Sequence, residues 1–231
     1  MKIAVIPARG GSKRIPKKNI KPFNGRPIIS WSIEAAKNSK LFDKVIVSTD
    51  SEEIAEVALH YGAEVPFLRP ENLANDYAGT SEVVAHAIGW HLEHGYSIQS
   101  ACCIYAAAPL IRLPDILNAF EIFNTDRWNY VFPATEFSSS IFRGFERAKL
   151  GGVQMLYPNH FATRSQDLKK IFHDAGQFYW GKANAWLEGR IIFDNDSTVI
   201  AIPPWRVQDI DTHEDWERAE IIASLLDKSN G

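Results

Sequence analysis

The chain has 231 residues, 25 Lys+Arg against 28 Asp+Glu, a formal net charge of −3 and 45% hydrophobic residues. This is the balance of one folded domain. It is too apolar for intrinsic disorder, and no apolar run approaches the ~20 residues that a membrane helix needs.

Taken in chain order, residues 2–8 form a continuously apolar run of the kind buried parallel strands show. Pro27 suits the first turn of a helix reaching about Asn38, and 44–50 is a second strand. Asp50 or Ser51 can cap a helix that Gly62 ends, 64–68 is a third strand, and Thr80 or Ser81 can start a helix that Gly95 ends. Residues 101–107 read as a fourth strand, in which adjacent Cys102 and Cys103 point to opposite faces as reduced thiols with no disulfide open to them. A helix over 114–124 and a strand over 129–134 follow. This alternation predicts a doubly wound α/β domain with a mostly parallel sheet, which binds ligands at the carboxyl ends of its strands. From 137 to 175 the alternation stops, and aromatics crowd an irregular stretch that reads as an insertion or excursion from the sheet. Residues 177–186 and 198–202 return to strand patterns, and 213–228 is an amphipathic terminal helix. The whole chain reads as a single domain.

The charge is unevenly placed. Residues 1–33 hold eight basic side chains and no acid, leaving 17 basic against 28 acidic in the remainder. Five of the eight, Arg9, Lys13, Arg14, Lys17 and Lys18, fall within ten residues of the loop after the first strand. Gly10 and Gly11 there can turn backbone N–H groups toward an anion, and crowded like charges are tolerated best where an anionic ligand relieves them. The loop therefore points to a polyphosphate. It has neither the Walker A register nor a G-x-G-x-x-G fingerprint.

Asp209-Ile210-Asp211 is the second signal. In an extended segment residues i and i+2 face one side, so the two carboxylates converge while Ile210 turns to the core. Such a pair suits Mg²⁺, which takes one or two carboxylates and completes its shell with water and phosphate oxygens. Asp211 or Thr212 can equally serve as the cap of the last helix. Among the histidines, His91 and His94 lie one helical turn apart and read as solvated. The serines lack a nucleophile elbow, and the acids 52, 53, 56, 214, 215 and 217 complement helix dipoles and take no catalytic role.

Residues 6–13 (IPARGGSK), 15–20 (IPKKNI), 47–50 (VSTD), 68–70 (LRP) and 209–212 (DIDT) together resemble the cytidylyltransferases that activate nonulosonic acids as CMP-sugars. Residues 103–109 (CIYAAAP), 163–168 (TRSQDL) and 173–181 (HDAGQFYWG) are similar to the pseudaminic acid branch and depart from the pattern of the sialic acid enzymes, a CMP-sialic or CMP-legionaminic acid synthetase being the alternative. The resemblance implies a GT-A-like, Rossmann-like nucleotidyltransferase fold and a homodimer whose excursion at 137–175 reaches the partner's active site; the short apolar run at 3–7, unlike a secretory signal, gives the expectation of a cytoplasmic protein. It implies CTP on Ala8, Arg9, Gly10, Gly11, Ser12, Lys13, Lys18 and Asn19, with Thr80 near the base or ribose, and Mg²⁺ on Asp209 and Asp211. For the nine-carbon sugar acid it suggests Arg164 at the carboxylate, with Gln166, Asp167, Tyr105, Gln177, Phe178 and Tyr179 around it, core packing being an equal fate for Phe178. The expected reaction is in-line attack of the anomeric hydroxyl on the α-phosphorus, with the general base left open among Asp209, Asp211 and a metal-bound hydroxide. A GT-A glycosyltransferase and a nucleic-acid-binding module are the rivals. The first consumes a nucleotide sugar, and the second is disfavoured by the acidic remainder of the chain. Neither nucleic acid nor membrane is an expected partner.

Overall fold

The computed structural model describes residues 1–75 and 77–228, the last two side chains excepted. Its elements run β1 (Lys2–Pro7), the two-residue strands β2 (Pro22–Phe23) and β3 (Arg26–Pro27), α1 (Ile28–Ser39), β4 (Lys44–Ser48), α2 (Glu52–His60), α3 (Thr80–Glu93), β5 (Ser100–Ile104), α4 (Leu113–Phe123) and β6 (Tyr130–Glu136). Then come β7 (Phe145–Arg147), β8 (Val153–Met155), β9 (Phe172–Asp174), β10 (Phe178–Lys182), α5 (Ala183–Leu187), β11 (Ser197–Ala201) and α6 (His213–Lys228). The main sheet has the order β11–β6–β10–β5–β1–β4, with β9 also on β6. β1 pairs in parallel with β4 and β5, and β11 with β6, whereas β10 is wedged antiparallel between β5 and β6. The mixed, mostly parallel sheet is the one expected.

Two of the expected strands differ. Residues 64–68 make only isolated bridges to β4, Ile46 with Glu64 and Thr49 with Leu68. Pro66 has no N–H for the ladder, so the edge cannot continue as a regular strand. Residues 177–186 divide into β10 and the short helix α5. Gly181 permits this turn, because a Cβ there would collide with the Trp186 indole and the Tyr130 ring.

Burial alternates along the strands and sorts the core into layers. Cys102, Ile104, Phe178 and Trp180 face the layer under α1, α2 and α4, while Cys103, Tyr179 and Ala101 face the layer under α3 and α5. Both cysteines are free and buried. A third cluster decides where function can sit. Ile15 and Phe23 from the loop after β1 pack with Ile28, Leu110, Ile210, Trp216 and Ala219. Burying a side chain such as Ile15 or Ile210 stabilises by about 1.5–3 kcal/mol, so the two ends of the chain are joined through apolar contacts. Among the described residues, no helix is long and apolar enough to cross a membrane.

Candidate active site

The loop after β1 is built from inside outward. Ala8 N–H donates to the Ser48 carbonyl, 2.9 Å, and buried Asn19 donates its side-chain amide to the Arg9 carbonyl, 2.9 Å. With the turn so held and Ile15 fully buried, the charged residues around them are forced outward. Lys17, in a left-handed conformation at φ 53°, turns away to pair with Glu53 at 2.8 Å. Arg9, Ser12, Lys13, Arg14, Lys18 and Asn19 remain along a cavity of about 450 Å³ that is closed by Tyr105, Ala106, Ala107, Gly176, Gln208 and Asp209. Four cations on one wall of a cavity this size give it the charge a polyphosphate requires.

One of the two glycines acts differently from expectation. Gly10 N–H donates to Asp50 Oδ1 at 2.8 Å, so it is committed to the protein and not turned to the cavity. A side chain at Gly10 would bring its Cβ within 3.1 Å of Ser51 Cβ, which is why that position is small, while nothing lies within 4 Å of a Cβ on Gly11.

Asp209 and Asp211 flank Ile210, which is 1% exposed, as the period-two reading requires. Their surroundings differ. Asp211 pairs with Arg14 at 2.5 Å and lies 3.7 Å from Lys18, whose ammonium also donates to the Ile210 carbonyl at 2.7 Å. Asp209 lines the cavity, and there desolvation, followed by the negative charge of Asp211, raises its carboxyl above the ordinary value, with Lys18 and Arg14 acting in the opposite direction. The cap of α6 is Thr212, whose hydroxyl accepts from Asp215 N–H at 3.2 Å, so Asp211 is free of that duty. Asp215 is more than a dipole partner. Its carboxylate accepts from the N–H groups of Asp211 and Thr212 and from the Thr212 hydroxyl, and these bonds, the hydroxyl's foremost, hold it below the usual carboxylate range.

On the opposite wall, Tyr105 stands above β5 with its ring 5.5 Å from that of Tyr179, and its hydroxyl lies 3.5 Å from Thr80 Oγ1. Burial raises both phenols, and Tyr179 donates to Asp174. Thr80 thus reaches the site through Tyr105 and does not itself line the cavity. Gly176, at φ +59°, makes the bend between β9 and β10 that leaves this wall open. Gln177 is buried, donating to the Arg206 carbonyl at 3.2 Å. Phe178 is fully buried in the core, on the sheet face opposite Tyr179, so it cannot touch a ligand. Arg164, Gln166 and Asp167 are also outside the cavity: they lie exposed in a 3-10 turn and its flank on the excursion.

Three roles were not read from the sequence, those of Arg14, Gln208 and Arg69, and one histidine was misplaced. Arg14, in the loop already singled out, faces the acids, and Gln208 lines the cavity although it neighbours Asp209 without any motif of its own. Arg69 is 6% exposed, donating to the Ser48 hydroxyl at 3.1 Å and to the Ser48 carbonyl. Burial lowers its guanidinium below the ordinary arginine value, opposed by the nearby Asp50 charge. It ties the end of β4 to the 69–75 turn, whose Asn75 carbonyl accepts from Arg9 at 3.2 Å. His91, read as solvated, is 1% exposed and bonded to the Ala87 carbonyl at 2.8 Å, a structural role that its helical spacing concealed.

A cation-lined cavity at the carboxyl ends of β1 and β5 defines an α/β domain of the nucleotide-handling class. The fold is similar to that of CMP:2-keto-3-deoxy-manno-octonic acid synthetase complexed with CTP, at a TM-score of 0.71 and 14% identity over 99% of each chain. The sequence profile of the cytidylyltransferase family matches residues 3–187, and the chain belongs to that family. It is 47% identical to pseudaminic acid cytidylyltransferase of Campylobacter jejuni subsp. jejuni serotype O:2, over 98% of both chains. It is 44% identical to the Helicobacter pylori pseudaminic acid cytidylyltransferase and UDP-2,4-diacetamido-2,4,6-trideoxy-beta-L-altropyranose hydrolase, over 90% of this chain and 40% of that protein.

Proposed function

We propose that the protein transfers CMP from CTP to the anomeric hydroxyl of pseudaminic acid, releasing pyrophosphate. The observation that carries this reading is the single cavity in which Arg9, Lys13, Arg14 and Lys18 face Asp209, in a chain 47% identical to an enzyme of that name. The hydroxyl oxygen bonds to the α-phosphorus as the bond to the α,β-bridging oxygen breaks, and the hydroxyl proton passes to a base for which Asp209, Asp211 and a metal-bound hydroxide are the candidates. Such transfer is promoted by positioning and charge neutralisation more than by covalent help. The loop cations hold the triphosphate and take up the charge that develops on the leaving pyrophosphate. Asp209 and Asp211 offer the hard oxygen donors that Mg²⁺ prefers, and a cation there would offset the burial and the Asp211 repulsion that raise the Asp209 carboxyl. When bound, the ion would withdraw charge from the α-phosphate oxygens.

The sugar's own carboxylate needs a cation, and Arg164 is our candidate, on an excursion that does not reach its own cavity. Phe145, Val153 and Phe161 on that excursion are 60%, 67% and 71% exposed, an apolar surface that a second copy would cover. A homodimer that exchanges these segments is therefore part of the proposal. A pyrophosphate-release assay over four nucleotides and a panel of nonulosonic acids tests it. Turnover with CTP and pseudaminic acid is expected, and preference for another nucleotide or sugar acid would overturn it.

A further inference from the structure

Gln208 lines the cavity beside Asp209, and its amide is held from two sides. Nε2 donates to the Asp209 carbonyl at 2.8 Å and to Asp215 Oδ1 at 3.0 Å. An ionised carboxylate only accepts hydrogen bonds, so the nitrogen of the amide, and not its oxygen, must face Asp215. Both amide hydrogens are thereby committed to protein acceptors. Among the described residues Oε1 is the polar atom of the Gln208 side chain that no protein group engages, and it can only accept.

The bonding of Asp215 exceeds what a helix cap needs. The Thr212 hydroxyl and the N–H groups of Thr212 and Asp211 converge on Oδ2, at 2.7, 2.8 and 3.2 Å. That leaves Oδ1 for Gln208, so a single carboxylate closes α6 with one oxygen and orients a cavity residue with the other.

We infer that Gln208 is a substrate-contacting residue that accepts a hydrogen bond from a hydroxyl or amide N–H of the sugar acid, and that Asp215 is the positioning residue that keeps it an acceptor. This rests on the proposed reading of the site. The triphosphate brings only acceptor oxygens to the cavity, which a bare Oε1 repels; the donors are the hydroxyls and amide N–H groups of the sugar acid, and those of the ribose and cytosine of CTP are told apart from them by the two KM values below. The same cavity is lined by Tyr105 and by Gly176, which has no side chain to occupy the space.

The test separates the two substrates. Gln208→Leu keeps the bulk and removes the acceptor, and it is expected to raise KM for the sugar acid about ten-fold. KM for CTP and the melting temperature should stay near those of the wild type. Asp215→Asn retains an oxygen for the three cap bonds but turns an N–H toward Gln208, so the Gln208 amide must flip and present donors to the substrate. The same selective rise in sugar KM is expected, with KM for CTP unchanged. An unchanged sugar KM in Gln208→Leu overturns the inference. So does a parallel rise in both KM values with a fall in melting temperature, which would mark a purely structural role. Should the wild type itself make no CMP-sugar, the proposed function fails first and the inference with it, a result distinguishable because it needs no variant.

Discussion

The cavity wall and the excursion are built on opposite principles. In the wall, charged residues are mounted on buried neighbours: Ile15 sits beneath Arg14, Ile210 between Asp209 and Asp211, and Asn19 beneath Arg9, each at 8% exposure or less. Position there is inherited from the core, so the side chains face one another with no partner required. In the excursion the order is reversed. Leu150, Val153 and Phe161 are apolar yet exposed, and the polar residues 164–167 hang from short 3-10 turns and a two-stranded ribbon. A preorganised phosphate site can be complete in one chain, whereas a segment that buries little of its own apolar surface depends on something else to cover it.

Substituting within the wall should give the largest effects. Lys13→Ala, Arg9→Ala and Asp209→Asn are each expected to lower turnover on the order of 10²-fold or more, with a melting temperature close to that of the wild type. Near wild-type activity in any of them removes that residue from the mechanism. Ile210→Ala attacks the mounting instead of the charge. Loss of a fully buried aliphatic side chain costs about 2–5 kcal/mol, which for a chain of this size lowers the melting temperature by several degrees, together with activity. If activity fell with no loss of stability, the apolar anchor would not be what positions the acids.

The excursion is sharpened by a mixing experiment. Arg164→Ala is expected to raise KM for the sugar acid at unchanged stability, and the wild type should run in solution at twice the 26.0 kDa chain mass. Co-refolded Arg164→Ala and Asp209→Asn should recover part of the wild-type activity, because one mixed site then carries neither defect. A monomer with full specific activity, or no recovery on mixing, would place the whole site in one chain. The smallest effect concerns acid stability. The Asp215 carboxyl is held below its ordinary value, so its contribution is present above the unfolded carboxylate pKa and is lost as pH falls through the lower folded one. Melting curves from neutral pH to acid should fall less steeply for Asp215→Asn than for the wild type, and equal slopes would show that Asp215 does not supply this linkage.

The loop of cations and the Asp-Ile-Asp segment were legible because each is a local pattern: charges crowded after an apolar strand, and carboxylates two residues apart around an isoleucine. Most strands and helices were legible from the same periodicity, but Pro66 broke a ladder, Gly181 allowed Trp186 to fold back over β10, the strand expected to reach 107 ends at Ile104, and β9, inside the stretch read as an excursion from the sheet, pairs with β6. Phe178 illustrates the limit. Period two says that Gln177 and Tyr179 share a face opposite Phe178, but not which face looks toward the site, and the pairing of β10 between β5 and β6 decided that.

Composition, periodicity and the motif residues were enough to determine the α/β class, the cation-rich loop and the family resemblance, because these depend on residues close together along the chain. Tertiary structure alone decided that Arg14 meets Asp211 across 197 positions, that Gly10 gives its N–H to Asp50, and that Asp215 binds Gln208 as well as capping a helix. A hydrogen-bonding group has several candidate partners in sequence. Only the packing of Ile15, Phe23, Ile210 and Trp216 into one cluster brings a particular donor and acceptor within reach and excludes the others.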